Sequence, residues 1–200
     1  LGATTNQESN GTITVSLADE TGTSDSLKVV IGDAGADDDV NATLKTTGIE
    51  TITFARTATD ADNANINVAA AKAATINLTG ATTAAAVTTL GTLSTSTTKV
   101  DASAAPGLLS VTASATGTGI ITKVGSASNT IVGGAGNDTV TLGTLGGDDA
   151  NGGAGTGTDD TLNATIKAST TEATTGFEIV HYTVADNVQA TITAANGKGV

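Results

Sequence analysis

One nonapeptide limits the folds open to this chain more than any other stretch. Gly133-Gly134-Ala135-Gly136-Asn137-Asp138-Thr139-Val140-Thr141 meets the pattern G-G-x-G-x-D-x-U-x at every fixed position, U being a large apolar residue. The pattern gives a turn and then a short strand, and such units stack coil on coil into a parallel β-solenoid. Glycines admit turn conformations closed to other residues and let backbone carbonyls approach an ion. Asp138 adds a hard carboxylate oxygen, the ligand type that calcium prefers, and Val140 is expected to point inward.

The flanking residues repeat the pattern in weaker form. Upstream, residues 124–132 carry Asn129 in the aspartate position and Ile131 in the apolar one. Downstream, Gly152-Gly153-Ala154-Gly155 restarts the turn, and Asp159-Asp160-Thr161-Leu162 completes it after an insertion at 156–158. Gly133 and Gly152 stand two nonapeptides and one residue apart, the interval expected of successive coils on one side of a β-roll. This places Asp138 on the same side as Asp159 and Asp160, where they could share an ion. Asp148 and Asp149 fall in an intervening half-coil that fits the pattern poorly. Residues 32–40, with Asp37 and Asp39, form a looser relative whose apolar residue, Val40, comes one place late. Plain Gly/Asp turns between strands are the competing reading, and they compete most closely at 32–40.

Composition narrows the architecture further. Leu, Ile, Val and Phe make up only about a fifth of the 200 residues, at the edge of what suggests disorder. A thick globular core is out of reach, whereas a solenoid needs only a few apolar side chains per coil. Net charge is −12, with 15 Asp against 5 Glu, and clusters such as Asp37 to Asp39 repel one another without a cation. Nucleic acid and anionic membrane are poor partners for such a chain, and no apolar run approaches a membrane span. There is no Cys, which suits a secreted protein in which metal replaces disulfides as the staple. The chain opens at Leu1 without a signal peptide and reads as a fragment of something larger.

Short alternating segments rich in Thr, Val and Ile predict strands at 12–17, 27–31, 42–45, 49–54, 65–68, 75–78, 86–90 and 99–100. They continue at 109–113, 119–123, 130–132, 140–142, 162–166, 177–183 and 188–192. Between residues 65 and 142 their spacing is roughly ten to eleven residues, as in an all-β architecture. Segments 69–74 and 82–87 could make helical turns, but adjoining β-branched residues argue against it. A longer echo is also present. Residues 39–45 resemble 160–167, and Gly48-Ile49-Glu50-Thr51-Ile52 resembles the distant Gly176-Phe177-Glu178-Ile179-Val180. The expected fold is an all-β, right-handed parallel β-solenoid or β-helix. Its sections are an Ala/Thr-rich portion over 1–123, a calcium β-roll over 124–162 and a continuing strand repeat over 163–200.

Together the nonapeptide, the D-x-L-N-A-T strand and the G-I-E-T-I or G-F-E-I-V strand resemble calcium-binding RTX-type bacterial surface-layer proteins. Those Ala/Thr/Gly-rich, Cys-free chains leave the cell by type I secretion and crystallise as a lattice on the outer membrane. The resemblance implies Ca²⁺ held by Gly134, Gly136, Asp138, Gly153, Gly155 and Asp159 or Asp160, with Asp37 and Asp39 as further candidates. It also implies an extracellular, cell-surface location and copies of the same chain as partners in a two-dimensional lattice. Contact with outer-membrane polysaccharide is expected through regions outside this fragment, with no membrane insertion and no nucleic acid.

An enzyme is not expected. His181 is the only histidine, and Glu178, three residues before it, falls on the opposite face of a strand. On that reading Phe177, Ile179 and His181 share one face. Zinc lacks its usual His/Cys cluster. Glu50 and Glu178, at matching positions, are expected to bind backbone N–H groups at a strand entrance. Two other functions use the same scaffold: a secreted adhesin or glycan-binding module, for which aromatics are sparse, and an ice-binding solenoid. The T-x-T triplets at 12–14, 51–53 and 191–193 do not recur at coil spacing, as an ice-binding ladder requires.

Overall fold

The computed structural model describes residues 9–31, 40–57, 63–80, 87–105, 108–112, 119–124, 129–134, 136–144, 148–153, 159–166 and 173–184. Among them there is no helix. The strands are β1 (Ser9–Ser16), β2 (Ser26–Ile31), β3 (Val40–Thr47), β4 (Thr51–Arg56), β5 (Ala64–Ala70), β6 (Thr75–Gly80), β7 (Val87–Thr92) and β8 (Lys99–Ala104). They continue as β9 (Leu108–Thr112), β10 (Ile121–Val124), β11 (Thr130–Val132), β12 (Thr139–Thr144), β13 (Asp149–Asn151), β14 (Thr161–Ile166), β15 (Ala173–Thr175) and β16 (Ile179–Val184). Odd-numbered strands form one eight-stranded sheet in chain order, and even-numbered strands form the other. All the pairings among the described residues are parallel. Successive strands alternate between the sheets, so the chain winds as a β-solenoid with one strand per sheet in each coil. Eight strands at the usual spacing of about 4.8 Å make a stack roughly 34 Å long.

The winding solves the problem posed by the sparse apolar content. Alternation sends every second side chain inward, as in β5, where Ala64, Ile66, Val68 and Ala70 are buried and the residues between them are exposed. The parallel register then stacks equivalent residues into columns, with shifts toward the ends of the β6/β8, β7/β9 and β12/β14 pairs. In the even sheet one column runs Leu27, Ile52, Ile76, Val100, Thr122, Val140, Leu162, Val180. Its counterpart in the odd sheet runs Ala42, Ile66, Leu90, Val111, Ile131, Ala150. One apolar residue per strand therefore suffices for a continuous seam between the sheets.

Coil length varies along the stack. The coils that pair Ser26 with Thr51 and Val40 with Ala64 are longer than those at the nonapeptide. There Ile121 pairs with Thr139, and farther on Thr161 pairs with Ile179, each step equal to two nonapeptides. The intervening step from Thr139 to Thr161 is longer because it contains the 156–158 insertion. Both sheets run unbroken through the section bounds expected at 123/124 and 162/163, which fall inside β10 and β14.

Fourteen of the fifteen segments read as strands coincide with β1 to β12, β14 and β16, and 188–192 lies outside the described residues. β13 and β15 escape the pattern because each is three residues long, and β13 turns only Ala150 into the core. The long echo is half positional. Gly48 and Gly176 both have φ 73° and both precede even-sheet strands, but 39–45 leads into β3 of the odd sheet while 160–167 holds β14 of the even sheet. The same N-A-T alternation serves either sheet because both face one core.

Thr122 interrupts the even column. It is 1 % exposed, and its hydroxyl has no hydrogen-bond partner. A buried hydroxyl without a partner costs on the order of 1–3 kcal/mol. Thr122→Val, which keeps the shape, is expected to raise Tm by about 2–4 °C for each kcal/mol recovered. Thermal melts followed by circular dichroism check this, and a lowered Tm would mean that the hydroxyl is satisfied in solution.

Candidate functional site

The acidic side chains of the nonapeptide region sit at strand entrances, two residues before an inward apolar residue. Asp138 precedes Val140, Asp160 precedes Leu162, and Glu178 precedes Val180. Each reaches back to the preceding coil. Asp138 Oδ1 accepts the Ile120 N–H at 2.7 Å, Asp160 Oδ1 accepts the Asp138 N–H at 2.7 Å, and Glu178 Oε2 accepts the Asp160 N–H at 2.9 Å. The result is a ladder along one edge of the solenoid, in which every rung closes an amide that the sheet itself leaves open. Near the other end of the stack Glu50 Oε2 accepts the Asp25 N–H at 2.9 Å in the same way. The expectation for Glu50 and Glu178 is borne out.

The opposite edge carries a second ladder. The Leu109 N–H donates to Asn129 Oδ1 at 2.9 Å, and the Asn129 N–H donates to Asp148 Oδ1 at 2.8 Å. The Asn129 side-chain amide also donates to Asp148 Oδ1, at 2.9 Å. The half-coil around Asp148, a poor match to the nonapeptide, thus does the same work as its neighbours. Asp148 was hidden in the sequence because Thr144 and the small Ala150 break the nonapeptide pattern around it. The usable signal was an Asp, Asn or Glu two residues before an inward apolar position.

Glycines let these turns close. Asp138 Oδ2 accepts the Gly134 N–H at 3.0 Å, so the turn folds around its own carboxylate. Gly133 lies over the Gly152 carbonyl and Gly152 over that of Gly176, where a Cβ would collide with backbone oxygen. Gly153, at φ 110°, sits against the Gly134 carbonyl in the same way. The interval from Gly133 to Gly152 is therefore a coil step, as expected, and matches the pairing of Thr130 with Asp149.

The structure brings Asp138 and Asp160 together and leaves Asp159 exposed beside them. Gly134, Gly136 and Gly153 lie in the stacked turns, while Gly155, Asp37 and Asp39 lie outside the described residues. The oxygen-only donor set of carboxylates and glycine carbonyls suits a hard cation such as Ca²⁺. Both Asp138 oxygens already accept backbone N–H groups, which leaves Asp159, Asp160 and turn carbonyls as the oxygens best placed to meet an ion. Among the described residues no group of three or more His, Cys, Asp or Glu side chains forms a metal cluster.

His181 is exposed, with Nδ1 3.0 Å from Asn163 Oδ1. Phe177 departs from the expected face. It is buried while Ile179 and His181 are exposed, because β16 begins only at Ile179 and strand alternation does not extend back to it.

Burial pushes the Asp138 carboxyl above the usual carboxylate range, against the pull of the Gly134 and Ile120 N–H bonds. Asp160 is also raised, first by burial and then by the negative charges of Asp138, Glu178 and Asp159, with the Asp138 N–H opposing. Both folded pKa values lie above the unfolded value of about 3.9. The stability they contribute is thus complete below that value and is lost as pH rises through the folded pKa. Chelated protein is expected to gain stability from these groups as pH falls from neutral toward about 4. Asp160→Asn keeps an oxygen for the Asp138 N–H and removes the charge. It should be no less stable than the wild type at neutral pH without cation, and its melting temperature should vary less with pH. An unchanged pH slope would contradict this assignment.

No protein-family model, curated protein or solved structure matches this chain.

Proposed function

We propose that this chain is a structural, non-enzymatic unit of a bacterial surface layer, secreted and self-assembling outside the cell, with Ca²⁺ stabilising the turns around Gly133 and Gly152. The observation that carries this reading is the row of stacked carboxylates at Asp138, Asp160 and Glu178, one per coil. Such a row closes the fold through hydrogen bonds but sets like charges along one edge of a chain of net charge −12. A divalent cation held by exposed Asp159 beside Asp160 offsets that repulsion. Export into a high-calcium exterior would then couple setting of the fold to arrival outside the cell.

The form of the solenoid supports an assembling role. Two parallel sheets carry Thr- and Asn-rich outer faces, which suit contacts between copies of the chain. The ice-binding alternative is disfavoured by register: Thr51 and Thr53 stand beside Ser26 and Lys28 on one side and Thr75 and Asn77 on the other, so no threonine ladder runs through the sheet.

Calcium at a hundredfold over its Kd adds about 2.7 kcal/mol, or about 5–10 °C in a domain of this size. Scanning calorimetry after chelation should therefore show a lower Tm that Ca²⁺ restores and Mg²⁺ does not. The paired change of Asp159→Asn with Asp160→Asn should abolish most of the calcium increment. Negative-stain imaging of the calcium-loaded protein should show two-dimensional arrays. A melt unaffected by thorough chelation would overturn the calcium reading, and dispersed particles under all calcium conditions would overturn the assembly reading.

A further inference from the structure

The two ends of the stack carry the separate halves of one hydrogen-bonded rung. In the even sheet, where the next coil offers an Asp or Glu, that side chain takes the strand-entrance amide, as at Asp25, Ile120, Asp138 and Asp160. Where the next coil offers none, the entrance amide and the amide after it share one carbonyl of the preceding coil. Glu50 with Thr51, Ala74 with Thr75, and Thr98 with Lys99 do so. Glu178 and Ile179, at the last described coil, share the Asp160 carbonyl in this second way, at 3.1 and 3.0 Å. At the opposite end Asp25 stands two residues before the inward Leu27, the place that Asp138 holds before Val140. Its Oδ2 lies beside Gly22, much as Asp138 Oδ2 lies beside Gly134, but β2 ends the sheet and no described coil precedes it.

The apolar seam is open at the same two places. Ile13, Leu27 and Val29 are only partly buried, whereas their partners one coil on, Leu44, Ile52 and Phe54, are covered. At the far end Val180 and Tyr182 are likewise partly buried, against the covered Leu162 and Ala164. We infer that a second copy of the chain stacks head to tail on the first. Its β1 and β2 pair in parallel with β15 and β16 of its neighbour, and its Asp25 carboxylate accepts the neighbour's Glu178 N–H. A second copy fits because the last coil offers one strand edge per sheet and the first coil presents one strand to each, so both edges are met at once. The same register brings Leu27 onto Val180 and carries the apolar column across the junction. Such a contact joins two different surfaces and does not close on itself, so repetition gives a file of copies along the solenoid axis.

This inference rests on the surface-layer reading for the identity of the partner and gives the lattice one of its directions. The chain has no Cys, so introduced thiols report the junction alone. Ser26 and Ile179 begin and end one outward column, about 34 Å apart within a molecule but about 4.8 Å apart across the junction. A short bis-maleimide should cross-link a mixture of Ser26→Cys and Ile179→Cys proteins into dimers, and neither protein alone. Adding Asp25→Ala should raise the protein concentration needed about tenfold, the worth of a hydrogen bond to a charged acceptor. Its Tm should stay within about 2 °C of the parent. Asp25→Asn, which keeps an oxygen, should restore most of the yield and serves if the alanine variant unfolds. No dimers in the mixture, equal dimers in either protein alone, or a yield indifferent to both Asp25 changes would each overturn the inference. Negative-stain imaging of the same samples separates the two proposals. Arrays without the cross-link would sink head-to-tail stacking and leave the surface-layer reading standing, and the cross-link without arrays would do the reverse.

Discussion

The constraint on which this fold depends is the fate of the backbone amide at each strand entrance. Parallel pairing satisfies the amides within strands, but the amides of Ile120, Asn129, Asp138 and Asp160, each just before a strand, take a side-chain partner from the next coil. The acceptors are Asp138, Asp160 and Glu178 on one edge and Asp148 on the other, where Asn129 also meets the Leu109 N–H just inside β9. A charged acceptor makes a stronger bond than a neutral one. The rungs therefore bind coil to coil where the apolar seam is thin, one to three buried apolar side chains per strand in β10 to β14.

The same arrangement creates its own electrostatic cost. Asp138 and Asp160 are buried, and Asp160 lies among three other carboxylates. Hydrogen bonds favour the ionised form of both, burial works against it in both, and like charge adds to that opposition at Asp160. Protons or a cation can relieve that tension, and this links the hydrogen-bond ladder to the proposed calcium dependence. Farther along the stack the entrances use other means. At β6 and β8 the entrance residues are Ala74 and Thr98, whose N–H groups donate to the backbone carbonyls of Glu50 and Ala74. There the coils are longer and the core columns richer in Ile and Leu.

Much of this was legible in the sequence, and the limits have physical reasons. Alternating Thr/Val/Ile segments marked the strands because period-two alternation is what a strand with one buried face imposes. Val140, Ile131 and Leu162 are buried as their motif positions required. The coil step from Gly133 to Gly152 was readable from spacing alone. The second ladder was not, because Thr144 stands in the second glycine position of the pattern before Asp148 and the small Ala150 stands where a large apolar residue is expected. Phe177 was misassigned because alternation was extended across a turn. The roles of Asp138 differ most from a simple motif reading. Spacing shows that a carboxylate sits in the turn, but only three-dimensional stacking shows that both its oxygens meet backbone N–H groups.

The most direct test of the ladder is site-resolved amide hydrogen exchange at Ile120, Asp138 and Asp160. If side chains from the next coil close these amides, they should exchange as slowly as those at the strand centres of Thr122, Val140 and Leu162. Exchange at the rate of exposed loop amides, with the strand centres still protected, would contradict the central role given to these carboxylates.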